Sequence, residues 1–97
     1  MYFCVRRVKG PAWDPSRPMR EQDNWTGHAD FMDGLAAEGF IVLGGPVGPG
    51  EEFLFVIYSE SEETVRTRLA ADPWSESGLL EIGRIEPWTI LLDSRAG

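Results

Sequence analysis

The sequence predicts an α+β fold of the ferredoxin-like type, a β-α-β-β-α-β sandwich whose four-stranded antiparallel sheet carries two helices on one face. Three observations predict it. Runs of β-branched and aromatic residues stand near both ends of the chain and as a pair in its middle. Two amphipathic stretches separate them, each too short to build a helical bundle. Finally, the run Phe53–Ile57 is apolar at every position, whereas a strand with one wet face alternates, so both faces of this sheet are expected to avoid water. A single copy has nothing to cover the second face. Two copies packed sheet against sheet would cover it, and a homodimer of the dimeric α+β barrel kind is expected.

The elements follow in order. Tyr2 to Val8 reads as a strand, ended by Gly10-Pro11. Residues 10–23 hold Pro11, Pro15 and Pro18 without an apolar period and are expected to form an irregular loop, long for a compact domain. From Trp25 to Glu38 apolar residues recur at three- and four-residue steps, with Asp23 or Asn24 as N-cap and Gly39 as the stop, which predicts a helix. Phe40 to Leu43, cut off by Gly44-Gly45-Pro46, and Phe53 to Tyr58 predict an antiparallel pair. Ser59-Glu60-Ser61-Glu62 has capping-box spacing for a second helix reaching Ala71. After Asp72-Pro73-Trp74 and a short helical signal, Leu79 to Leu92 returns to strand character, with Pro87 confined to a bulge, a bend or an edge. Residues 93–97 form an expected tail.

Composition narrows the function classes. A chain of 97 residues is expected to form one domain. Nine basic against 16 acidic residues give a net charge of −7, which argues against nucleic acid or an anionic membrane surface as partner. Cys4 alone makes neither a disulfide nor a metal cluster, and its apolar surroundings predict a core position. Arg6 and Arg7 follow the first apolar run, the reverse of a signal peptide, and no apolar run reaches spanning length, so a cytoplasmic protein is expected.

Topology directs certain groups to one end of the sandwich: the loop with Arg17 and Arg20, the start of the first helix, Gly44-Gly45-Pro46 and the segment after the second helix. His28 and Asp72 share that end. His28, the only histidine, lies on a helix face with Phe31, Met32 and Leu35, which suits a half-buried packing residue. Imidazole is also the side chain best able to move a proton near neutral pH, and a neighbouring carboxylate would orient it. Asp72 followed by Pro73 describes a helix start by itself, and a capping carboxylate keeps an oxygen for His28. Arg17 and Arg20 serve solubility or hold an anionic group of a substrate. Gly45 belongs to a plain turn or lets a ligand approach the backbone; the Gly-Gly pair lacks nucleotide-loop spacing. Trp25, Trp74 and Trp88 are core residues or walls of an apolar pocket. No metal-ligand spacing is present, and neither metal nor organic cofactor is expected.

His28 early in its helix, Gly39 closing it, Gly44-Gly45-Pro46, the Ser59 helix and Asp72-Pro73-Trp74, taken in this order over roughly residues 25 to 92, resemble the YCII-related family of small dimeric α+β-barrel proteins. The resemblance implies an active site on His28 and Asp72 and acid/base chemistry on small molecules, including elimination of halide from hydroxylated aromatics. Many members carry an arginine where this chain has Trp25, and the loop after the first strand is longer here. The expected function is a cofactor-independent lyase- or hydrolase-type enzyme with His28 and Asp72 as catalytic residues. Trp25, Trp74, Gly45, Arg17 and Arg20 surround a small organic ligand in that reading. A non-catalytic ligand-binding module and a cofactor-free monooxygenase are the alternatives.

Overall fold

In the computed structural model, which describes residues 1–95, the elements run β1 (Tyr2–Lys9), α1 (Trp25–Ala37), β2 (Ile41–Val47), β3 (Glu52–Tyr58), α2 (Glu62–Ala70), α3 (Pro73–Glu76) and β4 (Leu80–Trp88). A single 3-10 turn, Met19–Glu21, precedes α1. All neighbouring strands are antiparallel and the sheet order is β2-β3-β1-β4, the ferredoxin-like arrangement.

Period-two alternation decides which side chains enter the core. On β1, Phe3, Val5 and Arg7 are buried, and on β3 so are Phe53, Phe55 and Ile57. Leu35 of α1 with Val65 and Leu69 of α2 close over that face. The opposite face carries Leu54 and Val56, each partly covered, and Leu43, Tyr58 and Trp88, 59%, 54% and 45% exposed. Cys4 alternates with Phe3 and Val5 and therefore stands half-buried on this outer face, which corrects the expected core position.

Backbone chemistry fixes the junctions. Gly39 adopts φ +81°, its N–H donates to Ala36 O at 3.0 Å and Phe40 N–H donates to Leu35 O at 3.1 Å, so a Schellman turn ends α1 and drops Phe40 into the core. The long loop is ordered by its own polar contacts. Buried Gln22 donates to Asp14 O and Arg17 O, while Gly10 N–H and Ala12 N–H donate to Leu79 O and Gly78 O, tying the loop to the start of β4.

Three boundaries differ from expectation. Strand β2 runs through Gly44-Gly45-Pro46 to Val47, because Gly44 lies so close to the Phe55 ring that a Cβ would collide with it, and an edge strand tolerates the missing N–H of Pro46. The cap of α2 is Ser61, whose Oγ accepts Thr64 N–H at 3.1 Å; Ser59 N–H donates instead to Met1 O. Strand β4 stops at Trp88, which pairs with Tyr2, the first residue of β1, so the partner strand ends there and Leu91 and Leu92 stay exposed. Pro87 accordingly sits on an edge strand. Among the described residues no helix is long and apolar enough to cross a membrane.

Candidate active site

Asp72 ends the α2 turn and caps α3, with Pro73 at the first helical position. Its Oδ1 accepts Trp74 N–H at 2.9 Å, the short-range bond expected of a cap. The carboxylate is fully buried, however, and it has two further donors from distant parts of the chain. Arg7 Nη1 donates to Oδ2 at 2.8 Å from β1, and His28 Nδ1 stands 3.0 and 2.9 Å from Oδ1 and Oδ2 from α1. Burial by itself pushes the Asp72 carboxyl up, but the bonds from His28, the Trp74 amide and Arg7, together with the Arg7 charge, outweigh it and hold the group below the usual carboxylate range.

An ionised carboxylate only accepts hydrogen bonds, so the proton on the facing imidazole nitrogen belongs to Nδ1. That leaves Nε2. It makes no hydrogen bond within the described residues and is not among their sealed polar atoms, and the His28 side chain keeps 10% of its surface. The ring plane is fixed from below by Trp74, stacked at 3.9 Å between centroids with 3° between planes. Trp74 is itself fully buried, donates Nε1–H to Asp23 O at 2.7 Å, and packs edge-on against Trp13. The arrangement can therefore hold one imidazole in one tautomer and one orientation with a single nitrogen presented outward.

The remaining residues named from the sequence fall into two groups. Trp25 borders the cluster, its ring 5.8 Å from the His28 ring and 5.7 Å from Trp74, and Arg20 lies over the Trp25 ring at 5.8 Å. Arg20 is exposed and has no ion-pair partner among the described residues. Trp74 lies beneath His28 rather than on the accessible side. Arg17 is engaged by Asp14 and Asp23 at 3.1 and 3.2 Å, Gly45 of the edge strand pairs with Leu54 and has, among the described residues, no neighbour within 4 Å of where a Cβ would stand, and Trp88 pairs with Tyr2 at the opposite end of the sheet. A shallow depression of about 210 Å³ beside α1 is lined by Met32, Ile41, Gly44 and Phe55 and does not include His28. Among the described residues no three His, Cys, Asp or Glu side chains converge as metal ligands.

The chain is similar to a solved enzyme along almost its whole length. It is the 5-chloro-2-hydroxyhydroquinone dehydrochlorinase TftG from Burkholderia phenoliruptrix AC1100, solved in complex with 2,5-dihydroxybenzoquinone. The two share 26% sequence identity and a TM-score of 0.66, over 92% of this chain and 94% of the dehydrochlorinase. No protein-family model matches the chain, and no curated protein sequence matches it.

Arg7 is the member of the cluster that reading the sequence as a run of apolar residues ended by two charges does not reveal. The signal is present in the alternation, since Phe3, Val5 and Arg7 share parity and hence a face. What the alternation cannot supply is the acceptor, which lies 65 positions further along the chain.

Proposed function

We propose that this protein is a small enzyme of the YCII-related kind, in which His28, oriented by Asp72, moves protons on a small hydroxylated aromatic molecule. The observation that carries the reading is the Asp72 carboxylate, whose three donors fix the His28 tautomer and leave Nε2 facing outward. A base held in this way needs no reorganisation when substrate arrives. The likeness to a dehydrochlorinase that binds a dihydroxybenzoquinone supports the substrate class.

A ring bearing hydroxyls and chlorine loses HCl in two proton movements. Nε2 takes a hydroxyl proton and returns it to the carbon that bears chlorine, giving a keto tautomer. It then takes a second hydroxyl proton as the C–Cl electron pair leaves with chloride, and a quinone remains. Atoms and electrons balance without an external oxidant. In this reading Trp25 offers an apolar wall, and Arg20, exposed above it, attracts the phenolate oxygen. Arg17, held by two aspartates, is left out.

The outer sheet face, with Leu43, Tyr58 and Trp88 exposed and Val56 partly covered, is the surface through which we propose that two copies associate. A cytoplasmic setting suits a chain whose lone cysteine has no disulfide partner.

The test is chloride release from 5-chloro-2-hydroxyhydroquinone by native protein, His28→Ala and Asp72→Asn, each first checked for folding by circular dichroism. Loss of the general base lowers kcat by about 10²–10⁴-fold. Native-level turnover in folded His28→Ala refutes the catalytic reading. Binding of the probe without chloride release by the native protein would instead identify a ligand-binding module.

A further inference from the structure

The Arg7–Asp72 pair is an unusual thing to place in a core of this size. Both side chains are fully buried, and the Arg7 Nε–H has no hydrogen-bond partner among the described residues. Buried ion pairs rarely outperform well-packed apolar residues in stability, so net stabilisation is a poor account of an arginine on the core face of the central strand β1. Its contacts suggest another. Nη1 reaches Asp72 at 2.8 Å, and Nη2 donates to Ser75 Oγ at 2.7 Å. That hydroxyl in turn donates to Leu69 O at 2.7 Å. The guanidinium therefore grips the end of α2 and the start of α3 together, and Asp72 is the residue between them.

The groups packed against the His28 ring are Asp72 and Trp74 from the α3 start and Trp25 from its own helix. Arg7 stands behind Asp72, and Arg20 lies over the Trp25 ring at 5.8 Å. An anionic Asp72 facing His28 alone would favour a doubly protonated ring, because two opposite charges in contact stabilise each other. Arg7 already balances that anion.

We propose that Arg7 is a positioning residue of the His28 site: it fixes the Asp72 carboxylate and neutralises its charge, so that His28 is held as a neutral ring with its proton on Nδ1 and a free lone pair on Nε2. This rests on the proton-moving role proposed for His28, but it concerns the state of the ring and not the reaction.

Because His28 is the only histidine, ¹⁵N-histidine labelling gives one pair of ring nitrogen signals and reports tautomer and protonation directly. The native protein at neutral pH is expected to show protonated Nδ1 and unprotonated Nε2. A doubly protonated ring, or the proton on Nε2, would overturn the proposal whatever the variants do. In Arg7→Met the ratio of doubly protonated to neutral His28 at fixed pH is expected to rise by about tenfold or more, the effect of removing one nearby opposing charge. In Arg7→Lys, which keeps the charge, the ring is expected to stay neutral. An unchanged ratio in folded Arg7→Met, or an Arg7→Lys ring protonated to the same degree as in Arg7→Met, would overturn the proposal. The spectra need no turnover. A native ring in the expected state, in a protein that releases no chloride, leaves the role of Arg7 standing and removes only the catalytic reading.

Discussion

Replacing Asp72 with asparagine tests the centre of the molecule most directly. The side chain keeps its shape, but one of two acceptor oxygens becomes an amide donor. Three donors already point at this group, from Arg7, His28 and the Trp74 amide, so the new N–H₂ must face at least one of them. The larger loss is electrostatic: Arg7, fully buried, is left without its counter-charge. Removing one partner of a buried ion pair costs about 3–5 kcal/mol. Against a typical total of about 5–15 kcal/mol, the variant should remain folded in the cold yet be much weakened. With a urea slope of about 1–3 kcal/mol per molar, the midpoint should fall by roughly 1–5 M. The matching assay is a urea double-mutant cycle with Arg7→Met. Once Arg7 is also replaced, no buried charge is left unpaired, and the double variant should be more stable than the sum of the single losses by at least about 1 kcal/mol. Additivity within about 0.5 kcal/mol, or an Asp72→Asn loss below about 1 kcal/mol, would refute the buried pair as an energetic unit.

Other expectations follow from the same geometry. Asp72 titrates lower in the folded chain than in the unfolded one, so its contribution is fully present above the ordinary carboxylate value near pH 4 and is lost as pH falls through the lower folded value. Acid unfolding of Asp72→Asn should accordingly show a flatter limb below about pH 4 than the native protein, and an identical limb would exclude Asp72 as its source. Ser61→Ala should cost about 1 kcal/mol and lower Tm by about 4–8 °C, whereas Ser59→Ala, whose hydroxyl makes only a 3.4 Å contact, should stay within about 0.5 kcal/mol; reversed effects would return the cap to Ser59. Light scattering should give twice the 10.9 kDa chain mass, and Leu43→Lys on the exposed outer face should halve it; a native protein that runs as a monomer would sink the proposed association.

Much of the fold can be read locally. The alternation of β1 and β3, the Gly39 stop and the Asp72-Pro73 start each depend on a few neighbouring residues, because hydrogen-bonded turns and strand parity are short-range effects. The misread boundaries have long-range causes. Gly44-Gly45 reads as a turn in isolation, and only the Phe55 ring against Gly44 shows why a strand needs a glycine there. Leu91 and Leu92 read as strand until the end of β1 leaves them without a partner.

The candidate site divides in the same way. The sequence by itself names His28 and Asp72 as titratable groups and, through element order, sends them to one end of a sandwich. It also gives Arg7 its parity on the core face. The tertiary structure alone decides that Arg7 meets Asp72, that Trp74 lies flat under His28, and that Arg17 is engaged elsewhere while Arg20 stays open. The physical reason is that a parity or a cap is fixed by bonds a few residues long. The partner of a buried charge is whichever group packing brings within 3 Å, here from the opposite end of the chain.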